Sequence, residues 1–175
     1  MAQHLFLTGE KGVGKSTLLR KILQKMPEPV GGFFTVRRIG VFPETPDLAT
    51  VHLLRAGTSD IPSKENLLFV CGRKDEQVNE RFERLGCASL KAEKETKLLV
   101  MDELGPHEET AKEFCQMVLD VLDGEIPIFG VLQKADSEFL RKIAEHEQVQ
   151  VITVTRENRD HILSSQASWD KLWIC

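Results

Sequence analysis

Gly9-Glu10-Lys11-Gly12-Val13-Gly14-Lys15-Ser16 follows directly on a short apolar run, His4 to Thr8, and opens a segment with helical periodicity. The pattern G-x-x-x-x-G-K-S between a strand and a helix is specific, because each residue type has a physical task there. Glycines let successive backbone N-H groups turn inward, and the helix N-terminus adds the positive end of its dipole, so the turn becomes an anion cradle. A lysine at position 15 suits neutralisation of β- and γ-phosphate charge. A serine at position 16 offers a hydroxyl to magnesium, and Thr17 adds a contact to the α-phosphate. Residues 9–17 therefore read as a Walker A loop for the phosphates of a nucleotide and Mg2+.

Outward from that loop, apolar runs of strand length alternate with amphipathic runs of helix length, the pattern of an α/β protein. The reading predicts a mostly parallel central sheet with helices on both faces, a P-loop NTPase architecture. A helix is expected from Lys15 to Lys25, with Leu18, Leu19, Ile22 and Leu23 as its apolar stripe and Pro27 and Pro29 ending it. Strands are expected at 31–39, 51–54, 67–71, 98–101, 126–132 and 149–154, the first two as a hairpin or sheet edge around a proline-rich turn. Helices are expected at 75–90, interrupted at Gly86, at 108–122, stopped by Gly124, and at 137–145. A terminal helix near Thr155 carries Ile162 and Leu163, with Trp169, Leu172 and Trp173 as packing anchors. The 175 residues, without an internal linker or repeat, read as one domain, 1–175.

Leu98-Leu99-Val100-Met101-Asp102-Glu103 is an apolar strand that ends in two carboxylates, as a Walker B element does. Asp102 is the candidate metal ligand, with Ser16, and Glu103 the candidate general base that polarises water for attack on a γ-phosphate; Lys15, through the phosphate charge it neutralises, is the other candidate catalytic residue. Asp102-Glu103-Leu104-Gly105 also fits the D-x-x-G of small GTPases, and Gln133-Lys134-Ala135-Asp136 resembles N-K-x-D. Gln replaces Asn at the first position, and the spacings between motifs do not fit that pattern. Lys134 and Asp136 then read as a plain loop before a helix.

Thr153-Val154-Thr155-Arg156-Glu157-Asn158-Arg159-Asp160 passes from a strand end into a helix start, with Thr155 as expected N-cap. Together with the Walker A loop, Asp-Glu-Leu-Gly at 102–105 and Gly32-Phe33-Phe34-Thr35, it gives the chain, over nearly its whole length, a resemblance to the THEP-type nucleoside-triphosphatases. The resemblance implies a RecA-like division of the P-loop fold and slow, magnesium-dependent hydrolysis of several nucleoside triphosphates with loose base preference. It also implies that Asn158 and Arg159 lie near the nucleotide. That family continues its Asp-Glu-Ile-Gly with Lys-Met-Glu, whereas Pro106-His107-Glu108 stands here, keeping only the acidic position.

The formal net charge of −4 opposes a nucleic-acid-coating role, since such affinity comes from neutralising phosphates. No apolar run approaches the roughly 20 residues of a membrane span, and no secretory signal precedes the loop, so a cytoplasmic protein without a membrane or nucleic-acid partner is expected. Cys71, Cys87, Cys115 and Cys175 stand singly, without C-x-x-C or histidine at metal spacing, and read as buried thiols. Two other functions share these motifs: a small-molecule kinase transferring the same γ-phosphoryl group, and a nucleotide-dependent switch.

Overall fold

A computed structural model describes residues 2–26 and 28–165. Seven strands form one sheet: β1 His4–Thr8, β2 Val30–Ile39, β3 Ala49–Arg55, β4 Leu67–Val70, β5 Leu98–Leu104, β6 Ile128–Leu132 and β7 Val149–Thr153, in the order β4-β3-β2-β5-β6-β1-β7. The run β2-β5-β6-β1-β7 is parallel, and β3 and β4 extend it antiparallel beyond β2. The expected hairpin is thus the β2–β3 pair, and β6 stands between the strand that feeds the loop and the strand that ends in carboxylates.

Strands covered on both faces need apolar residues pointing both ways, and β1, β5 and β6 are nearly uninterrupted apolar runs for that reason. One core gathers Leu5, Leu7, Val100, Phe129 and Val131 beneath helix α1 (Lys15–Leu23), which contributes Leu18, Leu19 and Ile22, and helix α6 (Arg159–Ser164), which contributes Ile162. The opposite core gathers Phe6, Phe33, Leu99 and Met101 under the other helices. These are α2 (Val78–Arg81) and α3 (Cys87–Leu90), joined by a wide π turn over Phe82–Gly86, then α4 (Lys112–Leu122) and α5 (Glu138–Ala144). The α/β expectation, with helices on both faces, holds.

Several local expectations change. Gly86 does not break its helix; it lies where the Phe114 ring packs, and a Cβ there would stand 2.4 Å from that ring. The helix expected from 108 starts at Lys112, because Pro106–Thr110 forms a tight 3-10 turn first. Cys71, Cys87 and Cys115 are half-buried and free rather than fully buried. Trp169, Leu172, Trp173 and Cys175 lie outside the described residues. No helix among the described residues is long and apolar enough to cross a membrane.

Candidate active site

Parallel strands bring their C-terminal ends to one edge, and the crevice there is where open α/β sheets bind ligands. The tips of β1, β5, β6 and β7 deliver the loop, Asp102 and Glu103, Gln133, and the Thr155–Asn158 turn to that edge. Within the loop, Gly9, Gly12 and Gly14 have φ of 141°, 82° and 96°, values that side chains resist. A Cβ on Gly9 would also stand 2.4 Å from the Val154 carbonyl oxygen, so the loop sits tight against the end of β7. Lys15, 8% exposed, curls into the loop, and its Nζ donates to the Gly9 and Glu10 carbonyls, both at 2.9 Å. Glu10, Lys11, Gly12 and Thr17 face solvent, while Val13 tucks into the core beneath α1.

Ser16 Oγ donates to Asp102 Oδ1 at 2.7 Å, tying the first turn of α1 to the end of β5. Asp102 is 1% exposed, and its Oδ2 has no hydrogen-bond partner. Burial pushes its carboxyl up to about 6, against the Ser16 hydrogen bond and the charges of Arg20 and Lys15. A buried carboxylate oxygen without a donor, beside a hydroxyl, is a hard-oxygen pair of the kind that fits a divalent cation. Among the described residues no group of three or more His, Cys, Asp and Glu forms a metal cage. The donor set therefore suits an ion that completes its shell with water and phosphate oxygens, as Mg2+ does.

Glu103 owes its position to an irregularity. Asp102 pairs with Val131 and Leu104 with Leu132, so Glu103 is one residue extra in β5 relative to β6. Such a bulge re-aims a side chain. Here it returns Leu104 to the core that Met101 occupies and turns Glu103 into the cleft. Thr35 Oγ1 braces the bulge, accepting from the Glu103 N-H at 3.2 Å and donating to the Asp102 carbonyl at 3.3 Å. Gln133 Nε2 donates to Glu103 Oε1 at 2.8 Å, and it has room because Gly105 has no side chain: a Cβ would stand 2.7 Å from the Gln133 amide. From sequence, Gln133 had no role beyond a mismatch to the Asn of N-K-x-D. The signal was its place, one residue past the end of an apolar strand, the rule already applied to Asp102.

At the end of β7 the expected Thr155 cap forms, closed reciprocally by Asn158 across a turn. Thr155 Oγ1 accepts from the Asn158 N-H and Asn158 Oδ1 from the Thr155 N-H, at 3.2 and 2.8 Å, and α6 begins only at Arg159. Asn158 Nδ2 also donates to the Thr153 carbonyl at 2.8 Å, so both ends of that carboxamide hold the turn. Arg159 reaches the loop, its Nη1 donating to the Val13 carbonyl at 3.4 Å. It walls a cavity of about 270 Å³ with Gly14, Thr17, Lys21, Asp160 and Leu163. Of these two expected nucleotide neighbours, Arg159 flanks the loop and Asn158 serves the turn.

A larger cleft, about 740 Å³, is lined by the loop itself and runs past Glu103 toward β3 and β4. Lys134 spans its rim to form an ion pair with Glu10. Glu108, 5% exposed, borders it and accepts the Gly105 N-H on Oε2 at 2.9 Å. Burial pushes its carboxyl up to about 7, against the backbone hydrogen bonds it accepts and with the Glu103 charge adding to the rise.

Residues 4–166 match the profile of the family described as NTPase. The nucleoside-triphosphatase THEP1 of Thermococcus kodakarensis is 33% identical, the match covering 91% of this chain and 89% of that protein. The human cancer-related nucleoside-triphosphatase is 32% identical, over 93% of this chain and 94% of its own. Among solved structures, that of a human cancer-related nucleoside triphosphatase superposes with a TM-score of 0.63 at 26% identity, covering 96% of this chain and 97% of that one. THEP1 from Aquifex aeolicus shares the fold with a TM-score of 0.67 at 24% identity, covering 95% and 98%.

Proposed function

The chain belongs to the NTPase family of nucleoside-triphosphatases, and from that premise we propose that it hydrolyses nucleoside 5'-triphosphates to diphosphate and phosphate with magnesium, slowly and with little regard for the base. The observation that carries the reading is Glu103 turned into the cleft beside the Ser16–Asp102 pair and within reach of the loop's edge. Gly9 to Ser16 hold the phosphates through backbone N-H groups, and Lys15 leaves the loop carbonyls to meet β- and γ-phosphate oxygens. Ser16 and Asp102 hold the metal, which when bound neutralises phosphate charge. Glu103 orients a water in line with the γ-phosphorus and takes its proton, while Gln133 fixes the carboxylate's direction.

The smaller cavity supports loose base preference. From the Thr17 end of the loop the nucleoside runs toward it, and its polar lining residues, Thr17, Lys21, Arg159 and Asp160, are all exposed. Strong discrimination requires buried polar groups that a wrong base leaves unpaired, and none lines it among the described residues. Slow turnover fits the larger cleft, where Arg37, exposed on β2, is the one guanidinium among the described lining residues.

Phosphate release measured across ATP, GTP, CTP, UTP and their deoxy forms, with and without magnesium, tests the reading. Glu103→Gln should bind nucleotide normally and lose a factor of roughly 10²–10⁴ in kcat. Wild-type turnover by that variant would remove Glu103 from the chemistry.

A further inference from the structure

Hydrolysis needs a narrow polar space beside the γ-phosphate, wide enough for one water. The larger cleft offers more than that. Beyond Glu103 its walls become apolar: Val36 on β2, Val51 on β3, Leu68 and Phe69 on β4, and Phe82 in the π turn. None of these side chains serves the phosphate loop, the metal pair or the base. Val36 stands on β2, the outermost of the parallel strands, and the others are supplied by the antiparallel extension and the segment 78–90, away from the strand tips that carry the phosphate machinery. The whole cleft, with the phosphate loop as one of its walls, measures about 740 Å³, toward the upper end of the range of roughly 300–1,000 Å³ typical of small-molecule sites.

The furnishing of this half has a chemistry. Leu68 is fully buried and Phe82 nearly so, giving a rigid floor. Above it the Phe69 and His107 rings stand 6.1 Å apart between centroids, tilted 43°, as two flat surfaces at the mouth. Arg37 and Glu108 supply polar groups at its border, one a fork of donors, the other a carboxyl. Flat rings with a few convergent polar groups suit a planar heteroaromatic compound, which stacks on the rings and reads its N-H and carbonyl edge on the polar ones. The triphosphate cannot use them, being charged throughout. On the reading proposed above, its own base takes the smaller cavity beside Arg159 and Leu163.

We propose that the apolar half of the larger cleft is a second small-molecule site, taking a nucleoside beside the γ-phosphate while the nucleotide occupies the loop. This rests on the reading that the loop binds a nucleoside triphosphate. An occupant there excludes or orders the water that Glu103 handles, so it alters kcat with little effect on KM.

Cys71 provides the test, since its half-buried thiol lines the same cleft and is free. The protein is saturated with magnesium and the non-hydrolysable β,γ-imido analogue of ATP. Iodoacetamide labelling of each cysteine is then followed by mass spectrometry with adenosine, guanosine, cytidine or uridine added. At least one nucleoside should slow Cys71 labelling about fivefold without slowing Cys87 or Cys115, and Phe69→Ala should raise the nucleoside concentration needed for half of that protection about tenfold, within the usual stacking contribution. His107→Ala, at an exposed position with little bearing on folding, should weaken it in the same direction. Both variants should retain phosphate release in the absence of nucleoside. Protection seen only without the analogue would mean that the cleft serves the nucleotide itself, and protection by no nucleoside would mean that it is no such site; either result overturns the proposal. Failure of the analogue itself to bind would instead strike the reading of the loop.

Discussion

Replacing Glu108 with glutamine should stabilise the protein in mild alkali and not in acid. The carboxyl is 5% exposed, and burial raises it from an ordinary value of 4.5 to about 7. Ionised Glu108 is therefore roughly 3 kcal/mol less favourable in the folded protein than in the unfolded chain. The sign follows from proton binding: between those two values the folded state holds more protons, so the stability contributed by the neutral form is complete below pH 4.5 and is lost as pH rises through about 7. Glutamine keeps an oxygen for the Gly105 N-H and never ionises, but its NH2 group lacks a built partner, which costs about 1 kcal/mol. The net gain is about 2 kcal/mol at pH 8.5, and at 2–4 °C for each kcal/mol in a chain of this size the unfolding midpoint should rise roughly 4–8 °C. At pH 4.5 the wild-type carboxyl is largely neutral, and the variant should melt slightly lower. Asp102 titrates in both proteins and cancels in the difference. Thermal unfolding of the two proteins between pH 4.5 and 8.5 decides it. A difference that does not change with pH, or a variant less stable at pH 8.5, would refute the account of a carboxyl held against its solvation.

Gly105→Ala places a Cβ 2.7 Å from the Gln133 amide, which must swing away from Glu103. Losing that charged hydrogen bond should lower kcat roughly 10-fold, with nucleotide affinity and unfolding midpoint nearly unchanged, as steady-state kinetics and calorimetry would report. An unaltered kcat would mean that Gln133 does not position Glu103. Asp102→Asn removes a buried carboxylate raised to about 6. It should raise the unfolding midpoint by a few degrees at pH 8 while cutting magnesium-dependent turnover by roughly 10²–10³. A destabilised variant with normal activity would contradict both roles.

Much of this site was legible in the residues because two of its parts are written locally. Glycines at fixed offsets before Lys15 and Ser16 need no tertiary knowledge, and carboxylates closing the apolar run 98–101 announce a strand tip at the sheet's working edge. The strand order is not local. Nothing in the sequence puts β6 beside β5, so the meeting of Gln133 with Glu103 across 30 positions stayed invisible, as did the gap that Gly105 leaves for it. The Thr155 cap was legible because it too is local: its hydroxyl accepts the Asn158 N-H as an N-cap does, whereas the reciprocal bond from Asn158 and the late start of the regular helix at Arg159 were not. The helix expected from Glu108 yields to Pro106 and to the buried Glu108 carboxyl, which closes the tight turn onto the Gly105 N-H.

The interposed strand also works as a ruler. Neighbouring strands lie about 4.8 Å apart, so a carboxylate two strands from β1 stands roughly 10 Å from the loop's own strand, where an adjacent one would stand half as far. On the proposed hydrolysis, the longer span leaves room for a terminal phosphorus and a water in line behind it. The shorter would press the acid against the phosphates themselves. Placing β6 between β1 and β5 thus converts a question of reaction chemistry into one of lateral distance, and makes the width of one strand a determinant of what Glu103 can reach.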